Sequence, residues 1–196
     1  MDEDDLILEG FAGVVLAGGA SRRMGSNKLL LEVAGRPMIR HVVETVRGVL
    51  PRVVVVTGHQ EKRIREALDR LPVAYVHSGS EAGQGAAVAA GLAYADPAIA
   101  ALVCIGDQPR LTGREILGLI EAWLAGGRMR VLVPVRQGVR GYPMVVPAGF
   151  AAAGVDLAAA DLVTAHPDAA APFATRNPVY ESSVDTPEDY RHLFSI

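Results

Sequence analysis

The sequence predicts an α/β fold in which helices cover both faces of a mostly parallel sheet. Short apolar runs alternate along the chain with segments of helical spacing, and this alternation is typical of right-handed βαβ units. The run at 53–56 consists of four valines, as expected for a parallel strand that helices cover on both sides. The 196 residues are 50% hydrophobic and 5% aromatic, which fits a three-layer domain with an aliphatic core.

The apolar runs set the predicted strands. These are 13–17, 52–57, 72–76, 100–105, 130–134, 142–147 and 178–183, with a short extended piece at 29–33. A loop at 137–141 separates two of these strands, and this strand–loop–strand arrangement predicts an antiparallel element.

Helical spacing and capping residues set the predicted helices. The segments are about 37–50, 60–70, 86–94 and 112–124, followed by a last helix near the end of the chain. Thr112 and Glu115 form a capping-box pattern, while Thr186 and Pro187 suit the cap and first position of the last helix. The Ala-rich tract 148–171 is predicted to be helical in pieces, and the small side chains of 86–94 should allow close packing.

Composition excludes several classes of protein. A formal net charge of −3 gives no case for a nucleic-acid surface, and a single cysteine, Cys104, excludes a disulfide framework. No apolar run approaches the ~20 residues of a membrane span, and the acidic residues 2–5 are unlike a signal peptide. We therefore expect a cytoplasmic protein with a single domain over 1–196, in which residues 1–10 form a flexible leader and Cys104 is a buried core residue.

A loop that combines glycines with basic side chains follows the first strand. Gly18 and Gly19 let the backbone approach an anion, and Arg22, Arg23 and Lys28 supply positive charge. The loop matches neither the P-loop nor the dinucleotide-binding fingerprint. It indicates a phosphate site of another type, although Lys28 is also consistent with a solvated surface lysine.

Three loops, 18–28, 78–85 and 106–109, follow predicted parallel strands, and ligands of such sheets lie beyond the carboxyl ends of the strands. They are therefore expected to share one site. Asp107 directly follows a strand and is a candidate ligand for Mg²⁺, or else a turn aspartate that binds its own backbone. Asp185 is a second candidate ligand, or else part of a helix start. The five histidines are scattered and are treated as structural.

Three blocks of the sequence resemble a known family. The segment 16–28, Leu-Ala-Gly-Gly-Ala-Ser-Arg-Arg-Met-Gly-x-x-Lys, resembles the signature of the molybdenum cofactor nucleotidyltransferases, part of the nucleotide-diphospho-sugar transferase superfamily. The blocks 106–109 (Gly-Asp-Gln-Pro) and 185–189 (Asp-Thr-Pro-Glu-Asp) match the next two motifs in order and approximate spacing. The resemblance covers nearly the whole chain and implies a Rossmann-like three-layer sandwich with one antiparallel strand.

The resemblance implies roles for individual residues. It assigns the nucleotide-binding turn to Leu16, Ala17, Gly18 and Gly19. It places Arg23 and Lys28 on the triphosphate as catalytic residues, together with Asp107, which also contacts the nucleotide. It makes Asp107 and Asp185 the ligands of a Mg²⁺ cofactor, and it places Gly83 and Gly85 of the 78–85 loop near the base and ribose. Gly85-Ala86 lacks the serines that are common in relatives.

The implied reaction transfers a nucleotidyl group from a nucleoside triphosphate to the terminal phosphate of a molybdopterin-type cofactor and releases pyrophosphate. A phosphate is already an anionic nucleophile, so in-line positioning and charge neutralisation suffice. The cofactor is expected to enter near 140–143. The blocks 106–109 and 185–189 favour CTP, whereas the turn at 16–19 is closer to the GTP-using branch.

Two further functions are compatible with the sequence. The same chemistry with a sugar or alditol phosphate as acceptor needs no change in the motifs. A non-catalytic carrier that inserts the cofactor into a client molybdoenzyme would bind the cofactor without releasing pyrophosphate. Nucleic acid and membranes are not expected as partners.

Overall fold

The computed structural model describes residues 8–19, 27–79, 82–97, 99–150 and 155–194. The strands are β1 Phe11–Ala17, β2 Glu32–Val33, β3 Arg36–Pro37, β4 Arg52–Thr57, β5 Ala74–His77, β6 Ala100–Ile105, β7 Val131–Arg136, β8 Val139–Arg140, β9 Met144–Pro147 and β10 Ala170–Ala174. The helices are α1 Met38–Arg47, α2 Glu61–Ala67, α3 Gly83–Ala95, α4 Gly113–Ala125, α5 Leu162–Ala165 and α6 Pro187–His192, with 3₁₀ helices at Lys28–Leu30 and Pro178–Glu181.

The main sheet has the order β10-β7-β9-β6-β1-β4-β5, and β8 pairs with β7 at its side. β1 is an interior strand and is parallel to both of its neighbours, β4 and β6. β9 is antiparallel to both of its neighbours, β6 and β7, while β10 is parallel to β7. The mostly parallel sheet with an antiparallel strand is therefore confirmed, and the β7–β8 hairpin adds a further antiparallel pair to the two that β9 makes.

Side chains of β1 alternate between two hydrophobic cores, one on each face of the sheet. Phe11, Val15 and Ala17 pack in the core that also contains residues of α1, α2 and α4. Val14 and Leu16 point to the opposite core, which contains residues of α3 and α5. The period of two along the strand thus divides the apolar run between the two helix layers, and the three-layer arrangement follows.

Helix α3 packs closely on the sheet because it carries a glycine at the contact. A Cβ atom at Gly91 would meet the Val14 side chain and would lie 2.8 Å from Val56 Cγ2. The close packing expected of this small-residue helix is confirmed. The helix begins at Gly83, however, so the predicted loop 78–85 is shorter than expected and Gly85 lies in the first helical turn.

The C-terminal third differs most from the prediction. The segment 178–183, predicted as a strand, contains a 3₁₀ helix in which Pro178 follows Asn177, whose side chain accepts a hydrogen bond from Val179 N. The last strand is instead β10, which begins at the end of the tract 148–171 predicted to be helical in pieces and continues beyond it. Alanine-rich sequence carries no period-two signal, and β10 forms through its pairing with β7, which is distant in sequence.

The last residues of the predicted leader, 8–10, make contacts with the rest of the domain. Leu8 packs against the core and Ile99 N donates a hydrogen bond to Gly10 O at 2.8 Å. Residues 1–7 of the predicted leader lie outside the described residues. Cys104 is fully buried as expected, and burial raises the pKa of its thiol. None of the helices described is long and apolar enough to cross a membrane.

Candidate active site

Parallel pairing brings the ends of four strands to the same edge of the sheet. β1, β4, β5 and β6 all run in one direction, so the residues that follow each of them meet there. His59 N donates to Gly18 O at 3.2 Å, and Gly106 N donates to Leu16 O at 3.0 Å. A Cβ atom at Gly58 would lie 2.9 Å from both Gly18 O and Ser78 O, so a glycine is needed where three strand ends converge.

The direction of β9 brings a second group of residues to this edge. Because β9 is antiparallel to β6, its first residue lies near the carboxyl end of β6, and the segment before it, 140–142, reaches the same place. β10 is parallel to β7, so the chain that follows β10 also emerges there. The two halves of the sheet therefore close around one space.

That space is a cavity of about 480 Å³ at the carboxyl edge. It is lined by Leu16, Gly18, Gly19, Lys28, Leu29, Ser78, Gly79, Gly83, Gln84, Ala87, Ile105, Gly106, Asp107, Gln108, Arg140, Gly141, Tyr142, Tyr180, Glu181, Ser183 and Asp185. Its volume is within the range of small-molecule sites.

A lysine and two aspartates form the charged centre of the cavity wall. The Lys28 ammonium pairs with Asp107 Oδ2 and lies 2.7 Å from Asp185 Oδ1. The side chains of Lys28 and Asp107 are 15% and 12% exposed, and that of Asp185 is 46% exposed. Residues separated by 157 positions in sequence thus meet at one nitrogen atom.

Burial and mutual charge set the ionisation of this cluster. Burial raises the pKa of the Asp107 carboxyl, and the Lys28 ammonium opposes that rise. Burial acts to lower the pKa of Lys28, but Asp107 and Asp185 outweigh it and raise that pKa above its ordinary value. Lys28 therefore remains an ammonium, and with both carboxylates ionised the cluster carries one negative charge in excess.

Local structure fixes each member of the cluster. Lys28 begins a 3₁₀ helix whose cap, Asn27, accepts a hydrogen bond from Leu29 N at 3.2 Å. The backbone of Asp107 is held by Val184 N, which donates to Asp107 O at 3.0 Å. Backbone contacts of separate chain segments thus fix the positions of these side chains relative to one another.

Asp185 is held by the start of α6. Ser183 Oγ donates to Asp185 Oδ2 at 2.7 Å, and Asp185 N donates to Asp189 Oδ2 at 3.0 Å. Thr186 and Asp189 form the capping box of the helix, which confirms the predicted cap at Thr186 with Pro187 in the first turn. The cap therefore orients a candidate ligand as well as starting a helix.

The residues present fit a divalent cation. The Lys28 ammonium is a positive charge held by two carboxylates, so the pair already accommodates a cation between them. Within the described part of the chain, no group of three or more His, Cys, Asp or Glu side chains could hold a metal ion. Mg²⁺ commonly uses one or two protein carboxylates together with substrate phosphates and water. The donor set matches that requirement.

A second part of the cavity wall combines neutral hydrogen bonds with the guanidinium of Arg140. Gln84 Nε2 donates to the Tyr142 hydroxyl at 3.2 Å, and Gln108 Nε2 donates to Tyr180 O at 2.9 Å. The Arg140 guanidinium lies over the Tyr142 ring, 4.8 Å from its centre. Burial raises the pKa of the Tyr142 hydroxyl, which therefore stays protonated. This wall offers aromatic surface and hydrogen-bonding groups.

The structure places most of the sequence-predicted site residues on the cavity. Those that line it are Leu16, Gly18, Gly19, Lys28, Gly83, Asp107 and Asp185. Ala17 is buried within β1 and only its backbone is near the edge. Gly85 lines a second cavity, of about 940 Å³, and packs against the Asp156 side chain instead. Arg22 and Arg23 lie outside the described residues.

Sequence reasoning missed Tyr180, Glu181 and Ser183 as cavity residues. They lie in or directly after the 3₁₀ helix that was predicted as a strand. The signal was available, because Asn177 followed by Pro178 is a helix-start pattern of the kind recognised at Thr186. Gln84 carried no sequence signal, since its place depends on α3 beginning at Gly83.

The sheet order, with a cavity beyond the carboxyl ends of its parallel strands, is that of a Rossmann-like α/β fold. Comparison with known families gives the particular assignment. Residues 13–171 match the MobA-like NTP transferase domain, and the chain belongs to that family.

Curated relatives include the bifunctional protein GlmU of Cupriavidus pinatubonensis. The two sequences are 39% identical over 137 residues, which is 68% of this chain. The match spans 30% of the length of that relative. The likeness thus concerns one part of a longer protein.

Several solved structures share the fold. A nucleotidyl transferase from Methanothermobacter is 21% identical with a TM-score of 0.76, covering 93% of this chain and 95% of its own. The molybdopterin-guanine dinucleotide biosynthesis protein A of Archaeoglobus fulgidus is 18% identical with a TM-score of 0.69, covering 93% and 96%. Rv0371c of Mycobacterium tuberculosis in complex with manganese is 20% identical with a TM-score of 0.70, covering 95% and 99%.

Proposed function

We propose that this protein transfers a nucleotidyl group, CMP from CTP in the favoured case, to the terminal phosphate of a molybdopterin-type cofactor and releases pyrophosphate. The observation that carries the proposal is the cluster of Lys28, Asp107 and Asp185 beside the strand-end glycines Gly18 and Gly19. Membership of the MobA-like NTP transferase domain family supports it, as does the molybdopterin-guanine dinucleotide protein among the structures with this fold.

The chain's own groups would bind and orient the triphosphate. The backbone at Gly19 leaves room for phosphate oxygens, because a Cβ atom there would meet no atom of the described residues within 4 Å. Lys28 is proposed to hold a phosphate, and Arg23 to join it. Asp107 and Asp185 would hold Mg²⁺, and the manganese complex of Rv0371c supports a divalent cation in this fold. When bound, that ion would neutralise charge on the triphosphate and the leaving pyrophosphate.

The chemistry is an exchange of one P–O bond for another. An oxygen of the acceptor phosphate attacks the α-phosphorus, and the bond from that phosphorus to the oxygen bridging the β-phosphate breaks. The electron pair of the broken bond leaves with pyrophosphate. The acceptor oxygen is already anionic, so no proton has to be removed and the protein's task is in-line positioning.

The acceptor is proposed to enter along the wall formed by 140–143. The Tyr142 hydroxyl accepts a hydrogen bond from Gln84 of α3, which joins this wall to that helix. The Arg140 guanidinium lies over the Tyr142 ring. A flat heterocycle such as a pterin suits an aromatic and cationic surface of this kind.

The test is pyrophosphate release from purified protein with Mg²⁺, molybdopterin and either CTP or GTP. We expect release that depends on the acceptor and is faster with CTP. A higher rate with GTP would move the assignment to the guanylyl branch suggested by the turn at 16–19. Absence of turnover with every nucleotide, in protein shown to be folded by circular dichroism, would contradict the proposal.

A sugar or alditol phosphate acceptor is the second candidate. The similarity of this chain to a protein named GlmU, at 39% identity, supports this second acceptor, because that name does not refer to molybdopterin. The same assay with a panel of sugar and alditol phosphates separates the two, since the acceptor that supports turnover identifies the function. Cofactor binding without pyrophosphate release would instead favour a carrier that serves a client molybdoenzyme.

A further inference from the structure

The Lys28 ammonium stands where a divalent cation shared by Asp107 and Asp185 would have to lie. Both carboxylates direct an oxygen to the same nitrogen, and the lysine side chain is largely buried between them. The lysine and the metal therefore compete for one position. This inference rests on the proposed function and concerns how the same site takes up its ligands.

A free divalent cation gains little from this site. To reach both carboxylates it must displace an ammonium held by charge-assisted hydrogen bonds, and the largely buried lysine would then give up its contacts with Asp107 and Asp185. The protein would supply this cation with only two carboxylate ligands, because the described residues contain no cluster of three or more metal-ligating side chains. Hydrated Mg²⁺ also dehydrates reluctantly.

A bound nucleotide changes both the ligands available to the metal and the partners available to Lys28. Its phosphates supply the oxygen ligands that the protein does not, and they give Lys28 a new anionic partner next to Gly19, where the backbone leaves open space. We infer that Lys28 is an internal counter-ion of the metal site. It neutralises Asp107 and Asp185 in the free protein and moves to a phosphate when a nucleoside triphosphate arrives with its divalent cation. Free metal is thereby excluded, and metal and nucleotide bind together.

The two lysines of the chain provide a matched control. Lys28 is in the cavity, whereas Lys62 is exposed on α2 and takes part in no ion pair among the described residues. The binding of Mn²⁺ alone can be followed by the loss of the free-ion signal in electron paramagnetic resonance. The proteins to compare are wild type, Lys28→Met, Lys62→Met and Lys28→Arg.

We expect Lys28→Met to bind free Mn²⁺ roughly tenfold more tightly than wild type, because the positive charge that lies between the two carboxylates is removed. Lys62→Met should match wild type, and Lys28→Arg should also remain weak because it keeps the charge. Adding Asp185→Asn to Lys28→Met should remove the gain. Wild-type protein that binds free Mn²⁺ as tightly as Lys28→Met would overturn the inference.

A second measurement uses the wild-type chain and needs no variant to fold. Protein labelled with ¹⁵N-lysine should give side-chain signals for Lys28 and Lys62 that can be assigned with Lys62→Met. Mg²⁺ alone should leave the Lys28 signal in place, and Mg²⁺ with CTP should shift it, while Lys62 stays unchanged. An equal shift of Lys28 by Mg²⁺ alone would contradict the counter-ion role.

The two measurements separate this inference from the proposed function. If Lys28→Met gains Mn²⁺ affinity but no nucleotide shifts the Lys28 signal, the proposed function fails. If nucleotides shift the signal but Lys28→Met gains no affinity for free metal, the counter-ion role fails and nucleotide binding stands.

Discussion

The two halves of the sheet build opposite walls of the cavity with different chemistry. The half formed by β1, β4, β5 and β6 is parallel, and the segments after its strands contribute glycines, Lys28 and Asp107. The half formed by β7 to β10 contains the antiparallel strand, and it contributes Tyr142, Tyr180 and, after β10, Asp185. The first half is suited to phosphates, and the second suits a planar part of a ligand and adds one carboxylate to the cation site.

The two walls also depend on different forces. The parallel half is stabilised by buried apolar strands, so the polar residues after those strands contribute little to its stability. The other half is held by close backbone contacts, since Tyr142 N donates to Tyr180 O at 2.8 Å and Gly141 N donates to Pro134 O at 2.7 Å. Substitutions of Asp107 and Gly19 in the first wall should therefore impair activity with little effect on folding, and substitution of Gly141 in the second should impair folding.

The largest effect is expected at Asp107. Asp107→Asn keeps the size of the side chain but removes the charge that pairs with Lys28, so we expect the rate of pyrophosphate release to fall by about a thousandfold, or ~4 kcal/mol. The fold should persist, as judged by circular dichroism. Asp69→Asn, at an exposed position, is the matched control and should keep full activity. Activity of Asp107→Asn near the wild-type level would remove the aspartate from the mechanism.

Gly141→Ala tests the second wall. An added Cβ atom would overlap Tyr180 O and lie 2.8 Å from Tyr180 C, so the backbone of two segments must separate. We expect the free energy of unfolding to fall by about 3 kcal/mol in urea denaturation. Gly118→Ala, in α4 with open space around it, should instead stabilise the protein by about 0.5–1 kcal/mol. Equal effects of the two changes would show that this wall is not close-packed.

Gly19→Ala tests whether the first wall is free of packing demands. A Cβ atom there meets no described atom within 4 Å, so the free energy of unfolding should change by less than about 0.5 kcal/mol. The added methyl group enters the space proposed for phosphate oxygens, and nucleotide affinity should fall by roughly tenfold in calorimetry. Unchanged affinity would place the triphosphate elsewhere.

The smallest effect concerns the cap that holds Asp185. Thr186→Ala removes the capping hydroxyl and should cost about 1 kcal/mol of unfolding free energy. In the wild type, hydrogen bonds from Thr186 hold the pKa of Asp189 below its ordinary value. This contribution to stability is fully present when the pH is above the ordinary pKa that Asp189 has in the unfolded chain. It is lost as the pH falls through the lowered pKa of the folded protein. The variant should lose less stability over that acidic range, with the Asp189 pKa moved upward in a titration followed by magnetic resonance.

The difference between the halves also explains which site residues could be predicted from the sequence. In the parallel half Gly18 and Asp107 come after apolar strands, so both were predictable at the carboxyl edge of the sheet. Asp185 was placed there because it follows the predicted strand 178–183, and that strand is a 3₁₀ helix, so the position was right although the predicted element was wrong. The pairing of Lys28 with both aspartates was not predictable, because it depends on side-chain positions set by segments far apart in sequence.

The other half could not be predicted in the same way. β10 consists mainly of alanine, proline and one phenylalanine, and it becomes a strand because β7 offers an edge. The 3₁₀ helix at Pro178–Glu181 was mistaken for a strand, and the cavity residues Tyr180 and Glu181 were missed with it. Non-local pairing decided these elements.

The central claim is that the cluster of Lys28, Asp107 and Asp185 is a binding site for a nucleoside triphosphate with a divalent cation. The most direct measurement is the thermal unfolding midpoint with CTP, GTP, ATP and UTP, each with and without Mg²⁺, in wild type and Asp107→Asn. A ligand that binds only the folded state raises this midpoint. The account predicts the largest rise with CTP and Mg²⁺ in the wild type and little or none in Asp107→Asn. No rise with any nucleotide, or an equal rise in both proteins, would contradict it.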